Sequence, residues 1–141
     1  MTINGEQSQQ VSQPVILVVD DEAIVLRVLR GILANHGYRV LAAVSGKEAI
    51  EVFRREPHID LLLTDVVMPG MTGPELAELL LTLDPGLRML FTAGMPDSPL
   101  IRECIIDRDH AFIAKPFLPS ELLAAVRQVL ASPRLAARAQ A

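Results

Sequence analysis

The chain has a single cysteine, Cys104, in 141 residues. One thiol forms no internal disulfide and no cysteine cage for zinc, which points to a reducing compartment and a cytoplasmic location. No apolar run approaches the roughly 20 residues that a helix needs to cross a bilayer. Met1 to Gln13 lack the basic start and apolar stretch of a signal peptide. They are polar and rich in Gln and Ser, and read as a disordered leader. Positive charge is also short: 13 Lys and Arg against 17 Asp and Glu leave a net charge of −4. A chain without a basic stripe is not suited to direct, sequence-independent binding of nucleic acid. The turn after the first apolar run contains neither G-x-G-x-x-G nor a P-loop, which argues against a nucleotide-binding domain.

Half of the residues are apolar, and the length suits one domain with a real core. The expected organisation is a leader over 1–14, a domain over 15–131 and a flexible tail over 132–141. Within the domain, apolar runs alternate with helical patterns. Val15–Val19 is a two-sided apolar run, the mark of a strand covered on both faces. Ile24, Val25, Val28, Leu29, Ile32 and Leu33 recur at helical spacing, with Arg27 and Arg30 opposite. Gly37 is placed for a left-handed helix cap. Tyr38–Ala42 reads as a strand, and Ser45 with Glu48 as the capping box of a helix over Lys47–Arg55. Ile59–Thr64 follows as the third strand. Thr72, Pro74 and Glu75 start a helix whose expected buried stripe is Leu76, Leu79, Leu80 and Leu83. Asp84-Pro85-Gly86 is a turn before the strand Leu87–Thr92. Asp97-Ser98-Pro99 opens a short fourth helix with Ile101 and Ile105, and Cys104 reads as a small buried filler. His110–Ala114 is the last strand. Leu122, Leu123, Val126, Val129 and Leu130 mark a final helix, which starts after Leu118 without a capping side chain.

Five β-α repeats in strict order predict an α/β fold: one doubly wound five-stranded parallel sheet with helices on both faces. Such a sheet can take the order 2-1-3-4-5, flavodoxin-like (βα)5, and then binds ligands at the carboxyl ends of strands 1 and 3. Asp20 and Asp21 follow the first strand, and Asp65 follows the third. Asp20 and Asp21 also suit a helix cap, and one can cap while the other faces the sheet edge. Three crowded carboxylates repel one another and call for a cation. Magnesium fits an oxygen-only set of this size better than calcium, and zinc lacks a nearby His or Cys. Lys115, at the end of the fifth strand, can neutralise a phosphoryl oxygen, and Thr92, at the end of the fourth, can donate a hydrogen bond to one. Pro116 suggests a cis Lys115–Pro116 bond. Phe112, taken alone, is a core residue.

Together, Asp20-Asp21, the D-x-x-M-P-G run from Asp65, Thr92-Ala93 and Lys115-Pro116-Phe117 resemble a response-regulator receiver domain, the CheY-like module of two-component signalling. The resemblance spans about Val15 to Ala131. It implies that Asp65 accepts a phosphoryl group from a phosphohistidine of a histidine kinase or histidine phosphotransfer protein. Magnesium, for which manganese or calcium can substitute, would be held by Asp21 directly, by Asp20 through water, and by Asp65 and the backbone carbonyl of Val67. Lys115 would contact the phosphoryl group, with Thr92 as the switch hydroxyl and Phe112 as the switch aromatic. A changed surface of helix 4, strand 5 and helix 5 would then bind a downstream protein target or a second copy of the chain. Val67 and Gly94 stand where receivers often carry polar side chains near the attacking water, so slow self-dephosphorylation is expected. Phe91-Thr92-Ala93-Gly94-Met95 resembles receivers attached to hybrid sensor kinases.

The expected function is a stand-alone phosphoacceptor switch rather than a turnover enzyme, and the short stretch after the last helix is expected to leave no room for a DNA-binding output domain. A dehalogenase-type phosphatase also uses an Asp nucleophile, a Ser/Thr and a Lys on a doubly wound sheet. Its D-x-D signature is absent after the first strand. A scaffold with a dead site fits poorly with an intact acid triad, Thr92 and Lys115.

Overall fold

The structure is a computed structural model that describes residues 13–94, 98–106 and 110–133. It contains β1 (Val15–Val19), α1 (Ala23–Ala34), β2 (Arg39–Ala43), α2 (Gly46–Arg55), β3 (Leu61–Asp65), α3 (Gly73–Leu83), β4 (Arg88–Ala93), α4 (Pro99–Ile101, continued by a π-helical turn Arg102–Ile106), β5 (Phe112–Ala114) and α5 (Pro119–Ala131). All strand pairs are parallel, and the sheet order is β2-β1-β3-β4-β5. The predicted doubly wound (βα)5 fold is therefore present. The expected leader and tail lie almost wholly outside the described residues. Of their inner ends, Pro14 O accepts from Arg39 N–H at 2.9 Å, and Ser132 O accepts from Arg88 Nε–H at 2.9 Å.

Strand alternation builds two cores. Leu17, Val19, Leu62, Met89 and Phe91 point into one, with Ala49, Val52, Leu76, Leu80, Ile101 and Ile105 from α2, α3 and α4. Ile16, Val18, Leu61, Leu63 and Leu90 point into the other, beneath Leu26, Leu29, Leu33, Leu122 and Val126 of α1 and α5. The central strands are buried on both faces, which is why they read as continuous apolar runs. Leu76 and Leu80 are fully buried, and truncating either to Ala removes about 2–5 kcal/mol of stability.

Local signals set most boundaries. Thr72 and Glu75 form the complete capping box at α3. At α2, Ser45 Oγ accepts from Glu48 N–H, while the Glu48 carboxylate takes the Val44 N–H rather than that of Ser45. Gly37 has φ of +93°, the left-handed region open to glycine. Leu118 makes no side-chain cap, but its N–H donates to Glu121 Oε1 at 2.7 Å.

Three packing expectations change. Leu79 and Leu83, read as part of the buried stripe of α3, are exposed; Leu76, Ala77 and Leu80 face the sheet instead. Leu79, Leu80, Leu81 and Leu83, interrupted only by Thr82, make several faces look equally apolar in sequence. For the same reason the buried line of α1 is Leu26, Leu29 and Leu33, while Ile24 and Val28 face outward. Cys104 is half-buried against the core rather than enclosed. Ile101 and Ile105 are buried as expected, although the helix widens into a π turn between them. Asp97, the expected start of that helix, lies outside the described residues, and Ser98 Oγ accepts from Ile101 N–H.

Candidate functional site

The register brings the carboxyl ends of the inner strands into line. Val19 of β1 is level with Thr64 of β3, and Asp65 is level with Thr92 of β4. Asp20 and Asp21 therefore emerge beside Asp65. One carboxylate oxygen from each of the three acids lies within 4.8 Å of the others. The sheet continues as Thr92 pairs with Ile113 and Ala93 with Ala114. Lys115 N–H then donates to Ala93 O at 2.8 Å, which carries the β4–β5 pairing one residue further and holds Lys115 at the strand ends. The Lys115–Pro116 bond is cis.

Lys115 Nζ donates to Asp20 Oδ2 at 2.9 Å and to Asp65 Oδ2 at 3.3 Å. The other oxygen of Asp20 accepts from Glu22 N–H at 2.9 Å, so the fully buried Asp20 is used on both sides. Neither Asp20 nor Asp21 caps α1 by its side chain; Glu22 holds the cap position without a side-chain bond. Asp21 is exposed. Three carboxylates against one ammonium leave an excess of two negative charges.

Burial and the neighbouring charges together move two groups. Burial pushes the Asp65 carboxyl above its usual value, against the pull of Lys115 and with the support of neighbouring Asp20. For Lys115, burial pulls the ammonium down. The hydrogen bond to Asp20 and the charges of Asp65 and Asp20 outweigh it and hold the ammonium above the usual lysine value. The two shifts are compatible. Lys115 answers to two acids, whereas Asp65 shares its one cation with Asp20.

Thr92 is buried beside Asp65, and its carbonyl accepts from Val66 N–H at 2.9 Å. Phe112 is half-buried and packs against the α2–α3–α4 core. Val67 has an exposed side chain next to Asp65, and Gly94 is exposed at the end of β4. The sequence reading passed over Thr64. It is fully buried, and its hydroxyl donates to Asp65 O at 3.0 Å. Also unread was the apolar rim: Ile24 in the first turn of α1, Val67 after β3 and Leu118 just before α5 are 74%, 60% and 62% exposed, all within a few residues of the carboxyl ends of β1, β3 and β5.

The oxygen-only donor set suits a hard divalent cation that keeps some of its water. The described residues include no helix long and apolar enough to cross a membrane.

Residues 16–127 match the sequence model of the response regulator receiver domain. The chemotaxis protein CheY of Thermotoga maritima is 31% identical over 115 residues, covering 81% of this chain and 95% of that protein. The response regulator receiver protein CpdR of Brucella abortus is 35% identical over 115 residues, or 82% of this chain and 95% of CpdR. The sensor kinase CckA of Brucella abortus is 33% identical over 120 residues, which are 84% of this chain and 13% of the kinase. Among solved structures, a CheY-like receiver domain protein from Methanospirillum hungatei aligns with a TM-score of 0.76 and 31% identity, covering 84% of this chain and 94% of that one. With the acid cluster, the lysine and the 2-1-3-4-5 sheet in register, these matches show that the chain belongs to the response regulator receiver domain family of two-component signalling.

Proposed function

We propose that this receiver takes a phosphoryl group from a phosphohistidine onto Asp65 and passes the signal to protein partners through a changed surface. The observation that carries the reading is the position of Lys115, whose ammonium lies within hydrogen-bond distance of both Asp20 and Asp65. A phosphoryl group in transfer needs an in-line nucleophile and neutralisation of its three outer oxygens, and little covalent help. Asp65 Oδ supplies the attacking oxygen. The new bond is O–P, the bond that breaks is P–N, and the imidazole of the donor leaves with its electron pair. Lys115 is close enough to shift its ammonium from Asp65 toward an incoming phosphoryl oxygen.

Asp20, Asp21 and Asp65, with the backbone carbonyl of Val67, would hold magnesium, for which manganese or calcium can substitute. Bound there, the ion would supply the rest of the charge cancellation. Thr64 holds the Asp65 carbonyl by a hydrogen bond, which steadies the acceptor main chain.

Thr92 is the switch hydroxyl in this reading, since it is level with Asp65 on the next strand. Its movement toward a phosphorylated Asp65 would open space for Phe112, which is half-buried. The α4–β5–α5 surface would then repack and bind a downstream target or a second copy. The phosphodonor is a protein, a histidine kinase or histidine phosphotransfer protein. The exposed apolar rim of Ile24, Val67 and Leu118 favours a protein surface over a small metabolite. A cytoplasmic setting accords with the lone cysteine.

The test is incubation with acetyl phosphate and magnesium, followed by intact mass and sizing chromatography. The wild-type chain gains one phosphoryl group, and Asp65→Asn gains none. Equal phosphorylation of both proteins overturns the assignment of Asp65.

A further inference from the structure

Gly73 opens α3 against the main chain of the acceptor. A Cβ built there would lie 2.3 Å from the Asp65 carbonyl oxygen and 3.1 Å from both the Asp65 carbonyl carbon and the Val66 Cα. These are backbone atoms, so no rotamer change relieves the clash. Gly73 is helical, and it is the missing Cβ rather than an unusual φ that the position demands. Its N–H also donates to Val66 O at 2.8 Å. The first turn of α3 and the end of β3 are thus joined by a hydrogen bond and a contact only glycine permits.

The same loop is gripped once more before it reaches α3. Gly46, the first residue of α2, is buried, and a Cβ there would lie 2.6 Å from Met71 Sδ. Here the opposing atoms belong to a flexible side chain, so the contact can give way in part. The segment from Val66 to Thr72 is fixed at one end by backbone and at the other by a thioether.

We propose that Gly73 is a positioning residue for the acceptor. Its bare Cα lets α3 seat against the Asp65 peptide and so sets where the Asp65 carboxylate stands relative to Asp20 and Lys115. The Gly46–Met71 contact fixes the far side of the same loop. The inference rests on the reading of Asp65 as the phosphoacceptor.

The experiment compares wild type with Gly73→Ala, Gly46→Ala, Gly46→Ala/Met71→Ala and the core variant Leu80→Ala. Each is measured below its melting temperature. Three readouts are taken: the Val66 amide shift in metal-free protein by NMR, the magnesium dissociation constant by titration, and the phosphorylation rate with acetyl phosphate. Gly73→Ala shifts the Val66 amide and weakens magnesium binding by about tenfold or more. It also slows phosphorylation by about 100-fold. Leu80→Ala lowers the melting temperature and leaves magnesium affinity unchanged, which separates positioning from stability. Gly46→Ala loses less affinity than Gly73→Ala, and the double variant, which also deletes the Met71 thioether, does not regain it. A folded Gly73→Ala with wild-type magnesium affinity and rate overturns the proposal. If Gly73→Ala does not fold, the Gly46 pair decides: loss of affinity in the double variant supports the loop's role, and wild-type affinity in both variants overturns it. A wild-type chain that takes no phosphoryl group defeats the acceptor reading instead, while the amide shift still judges Gly73.

Discussion

Lys115 Nζ is closer to Asp20 Oδ2, at 2.9 Å, than to Asp65 Oδ2, at 3.3 Å, although Asp20 lies 95 positions away in the chain. The Asp20 side chain is 1% exposed and that of Asp65 is 12% exposed. The ammonium therefore serves first as the counter-charge of the deepest acid, and only secondly as a neighbour of the one that faces the pocket.

Lys115→Ala strands Asp20 in a buried position. The expected cost in EDTA is about 1–3 kcal/mol, the penalty for a buried polar group that loses its partner. Magnesium recovers a larger share of stability in the variant than in wild type, because one competing positive charge is gone. Urea unfolding with and without magnesium measures both effects. Equal midpoints for the two proteins in EDTA contradict the pairing.

Asp65→Asn stabilises the metal-free fold at neutral pH. Burial raises the Asp65 carboxyl above the ordinary aspartate value of 3.8, Lys115 opposes this, and Asp20 adds to it. A folded acid with a raised pKa holds its proton longer than the unfolded chain does. Stability is therefore lost as pH climbs from about 3.8 through the folded value. The gain in melting temperature of Asp65→Asn over wild type is present at pH 7 in EDTA and shrinks as pH falls below that window. A lower melting temperature for Asp65→Asn at pH 7 would falsify this account of the pocket.

Lys115 has the opposite linkage. Its raised pKa contributes stability that is fully present below the ordinary lysine value of 10.5 and lost as pH rises through the folded value. Wild type accordingly loses stability in alkali more steeply than Lys115→Ala does. Parallel pH–stability curves for the two proteins above pH 10.5 exclude this contribution.

Asp21→Ala separates metal binding from folding. Asp21 is exposed, so the substitution changes stability in EDTA by no more than about 0.5 kcal/mol. Wild type gains about 2.7 kcal/mol at a magnesium concentration of 100 Kd, and Asp21→Ala loses most of that gain at the same concentration. Thermal melts with a magnesium series provide the check, and an undiminished gain in the variant removes Asp21 from the ligand set.

Val67→Asn shortens the lifetime of phosphorylated protein. The Val67 side chain is apolar and 60% exposed, so it offers nothing to orient an attacking water, whereas an amide can. The decay of the phosphorylated mass after removal of acetyl phosphate is expected to be slow for wild type and faster for Val67→Asn. Wild-type decay within seconds in magnesium defeats the expectation of slow hydrolysis.

The parallel sheet was legible because β1, β3 and β4 are covered on both faces, and only residues such as Val15–Val19 and Leu61–Leu63 satisfy that environment; its order came in part with the family resemblance. Asp20, Asp21, Asp65, Thr92 and Lys115 were legible because each lies within two residues of the carboxyl end of a strand. The faces of α1 and α3 were not. Ile24, Val28, Leu79 and Leu83 are as apolar as their buried neighbours, and only the seating of each helix on the sheet selects which line is covered. Thr64 and Gly73 escaped notice because their roles lie in contacts with the Asp65 main chain, which carries no residue-specific pattern.

Alternating two-sided apolar runs and helical stripes determined, from sequence alone, a parallel sheet whose acids share one edge, since burial on both faces admits few other arrangements. Tertiary structure alone decided which acid Lys115 holds more closely, which apolar side chains ring the pocket, and that α3 approaches the Asp65 carbonyl too closely for any Cβ. Those outcomes depend on distances of a few ångströms between segments far apart in the chain, and a local pattern of residue types carries no information about them.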